Sequence, residues 1–335
     1  AVVWYTGSQC FGPYHTNNTI NIQGNPEFFG KATYTVGVSL DDSRSLPQPS
    51  IFKKGCTQSP REDFPPTNTD LMPIAASDNA CYNGLTCIKL NADGTMNVRN
   101  QERYGDTVVT VPLPEKGVVY VNGATSTTDT ETSNMFGEGT KGKTIGNVFV
   151  SGELKGRLTI GAANDIYITN FDPTYKKFND AKSYRTRGVV YARTTFSLDS
   201  AEGTGIASDD NDMLGLIANR HVVALTRGWF DNSNAESAVS DLEIDAAIVA
   251  LKKFVNSSGI NGTNPAYPAV KRDGSRWKLI IRGSVAQDTR GAVGTVGGGG
   301  YTKDYAHDNR MLADDPPFFI KPEKSGWEIS DWTED

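Results

Sequence analysis

Apolar residues in this chain recur as short β-branched runs closed by Gly, Asn or Asp, and scarcely ever at the three-to-four-residue spacing of an amphipathic helix. Thr19-Ile20-Asn21-Ile22, Thr107-Val108-Val109-Thr110-Val111, Val118-Val119-Tyr120-Val121 and Asn147-Val148-Phe149-Val150 set the pattern. Leu158-Thr159-Ile160, Ile166-Tyr167-Ile168, Leu214-Gly215-Leu216-Ile217, Val222-Val223-Ala224-Leu225, Leu242-Glu243-Ile244, Ala247-Ile248-Val249-Ala250 and Leu279-Ile280-Ile281 continue it. Such a chain is all-β.

Turn chemistry then chooses among all-β architectures. Between Asn147 and Leu251, Pro and the Asn-Gly and Asp-Gly pairs of tight hairpins are rare, and small residues sit beside the β-branched ones. A β-sandwich, the alternative, would show more hairpin signals. A coil of stacked short strands needs small residues at its corners and inward Ile, Val and Leu on successive rungs. The expected fold is therefore an irregular parallel β-solenoid. No strict repeat period is visible, so uneven rungs and capped ends are expected. The solenoid is expected over 1–296, with a Cys- and Pro-bearing excursion at about 41–106 and a polar insertion at about 172–212. After the Gly297–Gly300 run, 297–335 reads as a Pro- and aromatic-rich tail packing on the solenoid and covering an edge.

The four cysteines, Cys10, Cys56, Cys81 and Cys87, all precede residue 88. An even number in a Ser/Thr/Asn-rich region predicts two disulfides and an oxidising compartment, with Cys81–Cys87 closing a local turn and Cys10 left for Cys56. Zinc and unpaired buried thiols are the alternatives; no CxxC is present. The longest wholly apolar stretch, Ala246–Leu251, is far short of the roughly 20 residues that span a bilayer. The chain opens Ala1-Val2-Val3-Trp4-Tyr5, so any export leader is expected to be absent from it.

Few residues are placed to do chemistry. Asp209, Asp210 and Asp212 form the densest carboxylate cluster, a candidate for Ca²⁺ or for a glycan-cleaving pair, weighed against a solvated turn. They lack the Asp-x-Asp-x-Asp-Gly spacing of a calcium loop. His15, His221 and His307 are the only histidines, and GxSxG, HExxH and a phosphate loop are all missing. No catalytic residue, cofactor or established metal site is expected, and the chain reads as non-enzymatic.

Charge is unevenly spread. Six basic residues and one acid lie between Lys176 and Arg193, including Lys177, Arg185 and Arg187. Seven bases and one acid lie between Lys252 and Arg282, including Lys253, Lys271, Arg272, Arg276 and Lys278. Tyr184, Tyr191, Tyr267 and Trp277 interleave with them. These windows could follow a nucleic-acid backbone or another polyanion, or simply keep strand edges soluble. The net charge of −6 argues against a dedicated DNA-binding domain.

Several segments taken in order resemble a bacterial family. They are Phe11-Gly12-Pro13-Tyr14-His15-Thr16-Asn17, Ile20-Asn21-Ile22-Gln23-Gly24-Asn25-Pro26-Glu27-Phe28, Gly117–Val121, Gly152–Ile160, Asn164–Ile168, Asp212–Asn219, Ile244–Leu251, Gly283–Gln287 and Trp327–Trp332. The family comprises prepilin-like, minor-pilin-type surface proteins carrying a β-solenoid domain, one relative being a large DNA-binding minor pilin of competence systems. The resemblance implies an exported module on the bacterial cell surface, in contact with other subunits of a type IV pilus-like fibre. The cysteines and the 172–212 insertion do not map onto it. Three functions follow as expectations: a structural or adhesive surface module, a DNA-capturing minor pilin, and a polysaccharide-active β-helix enzyme. The corresponding partners are fibre subunits, DNA and surface polysaccharide.

Overall fold

A computed structural model describes residues 3–41, 44–105, 107–125, 144–174, 186–201, 203–208, 210–225, 241–256, 275–294 and 299–324. The fold is a parallel β-solenoid. Its largest sheet links fifteen of the described strands, nearly all in parallel, and wraps into three walls. One register of the first wall is Cys81, Tyr120, Gly161, Ile217, Val249 and Ala286, one residue per coil. The second wall stacks Cys87, Phe149, Tyr167, Val223 and Val255. The third stacks Leu90, Gly152, Val189, Ile244, Ile281 and Tyr305.

Alternation along each strand sorts side chains between the inside and the outside of the coil. On the second wall Val148, Val150, Ile166, Ile168, Val222 and Ala224 turn into the main core. Phe149, Tyr167, Val223 and Val255 turn the other way and form a separate buried stack. Each fully buried aliphatic or aromatic chain contributes about 1.5–3 kcal/mol, which is why the wall tolerates few polar substitutions inside. Long strands such as Leu242–Ala250 and Lys278–Gln287 turn a corner and serve two walls. Gly152 permits one such corner: its φ is +105°, and a Cβ there would lie 2.2 Å from the Leu90 carbonyl oxygen.

Residues 4–58 build three further coils with their own core around Phe28, Ile20 and Ile51. Trp4, Ile22 and Leu40 stack at an 18-residue interval, and Cys10 with Phe28 and Tyr14 with Ala32 repeat it. A regular period therefore exists here, against expectation. Its sequence mark is Phe11-Gly12 returning as Phe29-Gly30, with the two rings stacked 4.3 Å apart. The third coil is longer, Ala32 pairing with Cys56, so the period is broken after two turns and escapes a search for strict repeats.

The first coil sits on the last coil of the main solenoid. The Phe11 N–H donates to the Tyr305 carbonyl, and the His307 N–H donates to the Phe11 carbonyl at 2.7 Å. The strand Thr302–His307 thus belongs to the solenoid, and the stack runs past the boundary expected at 297. Two outer segments then run along the first wall. In one, Asn17 and Glu62 exchange hydrogen bonds, Asn68 donates to the Ala162 and Ile217 carbonyls, and the helix Leu71–Ser77 packs on the strand Val118–Asn122. In the other, Asp314 takes both Arg157 nitrogens and the Thr159 hydroxyl donates to Pro317. Strand Glu323–Lys324 pairs with Glu62–Asp63 and joins the two.

Three expectations need correction. The polar insertion at 172–212 contains the wholly buried third-wall strand Gly188–Tyr191 and an antiparallel hairpin, Phe196–Asp199 with Thr204–Ala207. One Val-Val pair among basic residues was too little apolar signal to reveal that strand. The excursion at 41–106 contains the coil strands Cys81–Asn83 and Thr86–Leu90. Finally, all four cysteines are free. Cys56 stacks in register with Ala32 and Tyr14, two coils from Cys10 and four residues off its column; the two strand spacings alone come to about 9.6 Å, beyond the roughly 7 Å a disulfide bridges. Cys81 packs on the main core while Cys87 joins the outer stack of the second wall, so their side chains diverge.

Candidate functional site

The outer face of the third wall carries a cleft of about 970 Å³. It crosses five coils. Lys89 and Asn91 come from the first, Glu153 from the second, Arg187 from the third, Asp241 and Glu243 from the fourth, and Trp277 from the fifth. At one strand spacing per coil the floor is about 19 Å long. Its shape follows from alternation: Leu90, Val189, Ile244 and Ile281 point into the core, so their neighbours Lys89, Val190, Glu243 and Ile280 must point out.

Both signs of charge meet on this floor. Arg187 faces Glu243 at 3.4 Å, the Asp241 carboxylate accepts the Lys278 backbone N–H at 2.7 Å, and Lys89 reaches Asp172 at 3.7 Å. Glu153 is exposed and has no partner among the described residues. Arg282, on the fifth coil, pairs at 2.9 Å with Asp304 on the coil beyond. Beside the cleft Asp245 is only 3% exposed. Its Oδ2 accepts the Tyr191 N–H at 2.9 Å, while Oδ1 has no partner among the described residues. Burial, reinforced by Glu243, pushes this carboxyl up to about 7, against the Tyr191 hydrogen bond and the Arg282 and Arg187 charges.

The carboxylate cluster singled out in the sequence is elsewhere. Asp212 is completely buried at the corner between the third and first walls, where it binds the Arg193 guanidinium and accepts the Gly156 and Arg193 N–H groups. Burial opposes ionisation, but these hydrogen bonds outweigh it and hold the Asp212 carboxyl below its ordinary range. Asp210 accepts from Ser208, and Asp209 lies outside the described residues. Among the described residues no three His, Cys, Asp or Glu converge to hold a metal ion. Its bonds to Gly156 and Arg193 make Asp212 a brace at this corner.

Of the basic candidates, Lys176, Lys177, Arg185, Lys271 and Arg272 lie outside the described residues. Arg187 lines the cleft, Arg276 immediately precedes Trp277, and Lys278 follows it. Lys252 and Lys253 stand at the other side of the coil, where Lys253 pairs in register with His221 on the second wall. The described basic residues thus do not form one strip. Sequence reading missed Lys89 and Glu153 because each is a single charge beside a β-branched run, and missed Asp241 and Glu243 although they alternate with Leu242 and Ile244. The available signal was Asp241, Glu243 and Asp245, three acids at the same-face spacing at the start of an apolar strand.

No helix among the described residues is long and apolar enough to cross a membrane. No protein-family model, curated protein or solved structure matches the chain.

Proposed function

We propose that the chain is a non-enzymatic, surface-exposed adhesive module that binds an extended polysaccharide along its third wall. The cleft carries this reading. It is open and five coils long, so it suits an extended oligomer better than a small metabolite. It offers the half-buried Trp277 indole, an amphipathic surface of the kind that packs on sugar rings while polar neighbours hydrogen-bond their hydroxyls. Lys89, Arg187, Asn91, Glu153 and Glu243 supply donors and acceptors in alternation.

The same composition weakens the DNA-capture reading. Three acids and two bases line the floor, and a phosphate backbone favours an excess of cations. Display on a pilus-like fibre is supported by the segment resemblance alone. The test is affinity electrophoresis of the full chain through gels holding neutral, uronate-containing or sulfated polysaccharides, alongside titration with double-stranded DNA at about 50 and 200 mM salt. Retardation by at least one polysaccharide, lost in Trp277→Ala, is the expected result. Salt-sensitive DNA binding without retardation by any polysaccharide would replace this reading with DNA capture.

A further inference from the structure

The seam where the first coil meets the last gathers the half-buried side chains of Lys303, Arg290, Tyr305 and Cys10 around the buried Trp4, with no acid among them. Lys303 pairs in register with Leu279, which pairs with Leu242, so a lysine occupies the inward position that leucine holds on the two coils before it. Its Nζ lies 5.6 Å from the centre of the Trp4 ring, and the Arg290 guanidinium carbon lies 4.6 Å from the same ring. Neither cation makes a hydrogen bond or an ion pair with any described residue. Trp4 is 5% exposed, and its indole N–H is buried without a partner among the described residues. Tyr305 and Cys10 complete the surroundings, both within the field of Arg290.

Two cations on one indole gain from its π face, but an aromatic ring supplies neither a counter-charge nor a hydrogen-bond acceptor for each N–H. Lys303 and Arg290 are half-buried, so each keeps part of its hydration and lacks a counter-charge on its covered side. Here the unmatched groups are the ammonium, the guanidinium and the indole N–H, all donors.

We propose that the seam between the amino-terminal coils and the main solenoid binds a small oxyanion, of the phosphate or sulfate class, between Arg290 and Lys303. The guanidinium fork suits an oxyanion edge, the ammonium supplies a second charge, and the Trp4 side closes the site. Burial, with Arg290 adding to it, brings the Lys303 amine down to about 7. That is the response of an ammonium with no anion beside it.

Bound anion would hold the amino-terminal coils to the main stack, so the site would couple anion concentration to the stability of that junction. The experiment uses the full chain, with inorganic phosphate and sulfate as probes and chloride at equal ionic strength as reference. Calorimetric titration and Trp fluorescence follow binding, and thermal unfolding follows stability. The expected result is one site per chain, a rise of Tm with the logarithm of phosphate or sulfate concentration, and at least tenfold weaker binding in Arg290→Met and in Lys303→Met. Sulfate stabilises many proteins by exclusion from their surface. The diagnostic quantity is therefore the difference between wild type and variant. An equal Tm rise in both, or no saturable binding to wild type, overturns the proposal. If a Met variant does not fold, Lys303→Gln keeps the comparison, and unchanged affinity in that variant is equally fatal.

Discussion

Asp245 offers a sharp quantitative check, because its environment is one-sided. The carboxyl is 3% exposed, keeps a single backbone hydrogen bond from Tyr191, and shares its strand face with Glu243. Raising it from 3.8 to about 7 penalises the ionised form by about 4 kcal/mol, at about 1.4 kcal/mol per tenfold change. The native state therefore holds this proton more tightly than the unfolded chain does. The contribution to stability is complete below pH 4 and is lost as pH rises through 7. Asp245→Asn keeps an oxygen for the Tyr191 N–H and removes the titration. Urea unfolding of both proteins at pH 4, 6 and 8 should show stability falling with pH more steeply in wild type. The gap between the two profiles should change by up to about 4 kcal/mol across that range. Parallel profiles would refute the reasoning and mean that Asp245 is solvated or paired in a way the structure does not contain.

Asn68→Ala should destabilise the chain by about 2–3 kcal/mol in the same assay, since it strips the buried Ala162 and Ile217 carbonyls and the Tyr120 hydroxyl of a shared partner. Gly152→Val should cost more or abolish folding, because the new Cβ meets the Leu90 carbonyl at 2.2 Å; circular dichroism and yield of soluble protein report it. Thiol titration of denatured, unreduced protein should find all four cysteines free, and a count of two or fewer would contradict the coil geometry.

The solenoid was legible because its signal is repeated. Runs such as Val118–Val121 and Val222–Leu225 carry enough β-branched residues to mark a strand without help from tertiary context, and the small residues between them mark corners. Gly188–Tyr191 was not legible, since its burial comes from neighbours above and below rather than from its own flanks. The 18-residue period of the first coils was present in Phe11-Gly12 and Phe29-Gly30 but ended too soon to stand out. The cysteines misled for a related reason. Proximity along the chain suggested Cys81–Cys87, whereas strand alternation sends the two thiols to different faces of the wall. The cleft was the least visible feature, because its residues meet only through the vertical register of five coils. Lys89 and Trp277 are 188 positions apart in the chain, and local spacing holds no trace of their association.

The most direct test of polysaccharide binding on the third wall is the dependence of affinity on oligomer length. Oligosaccharides of graded size, cut from whichever polymer retards the chain, would be titrated calorimetrically against wild type and Trp277→Ala. Affinity should rise with each added ring until the oligomer spans the cleft of about 19 Å, then level off, with the variant weaker at every length. Equal affinity for a single sugar and for the longest oligomer, or a variant indistinguishable from wild type, would contradict the assignment of this cleft.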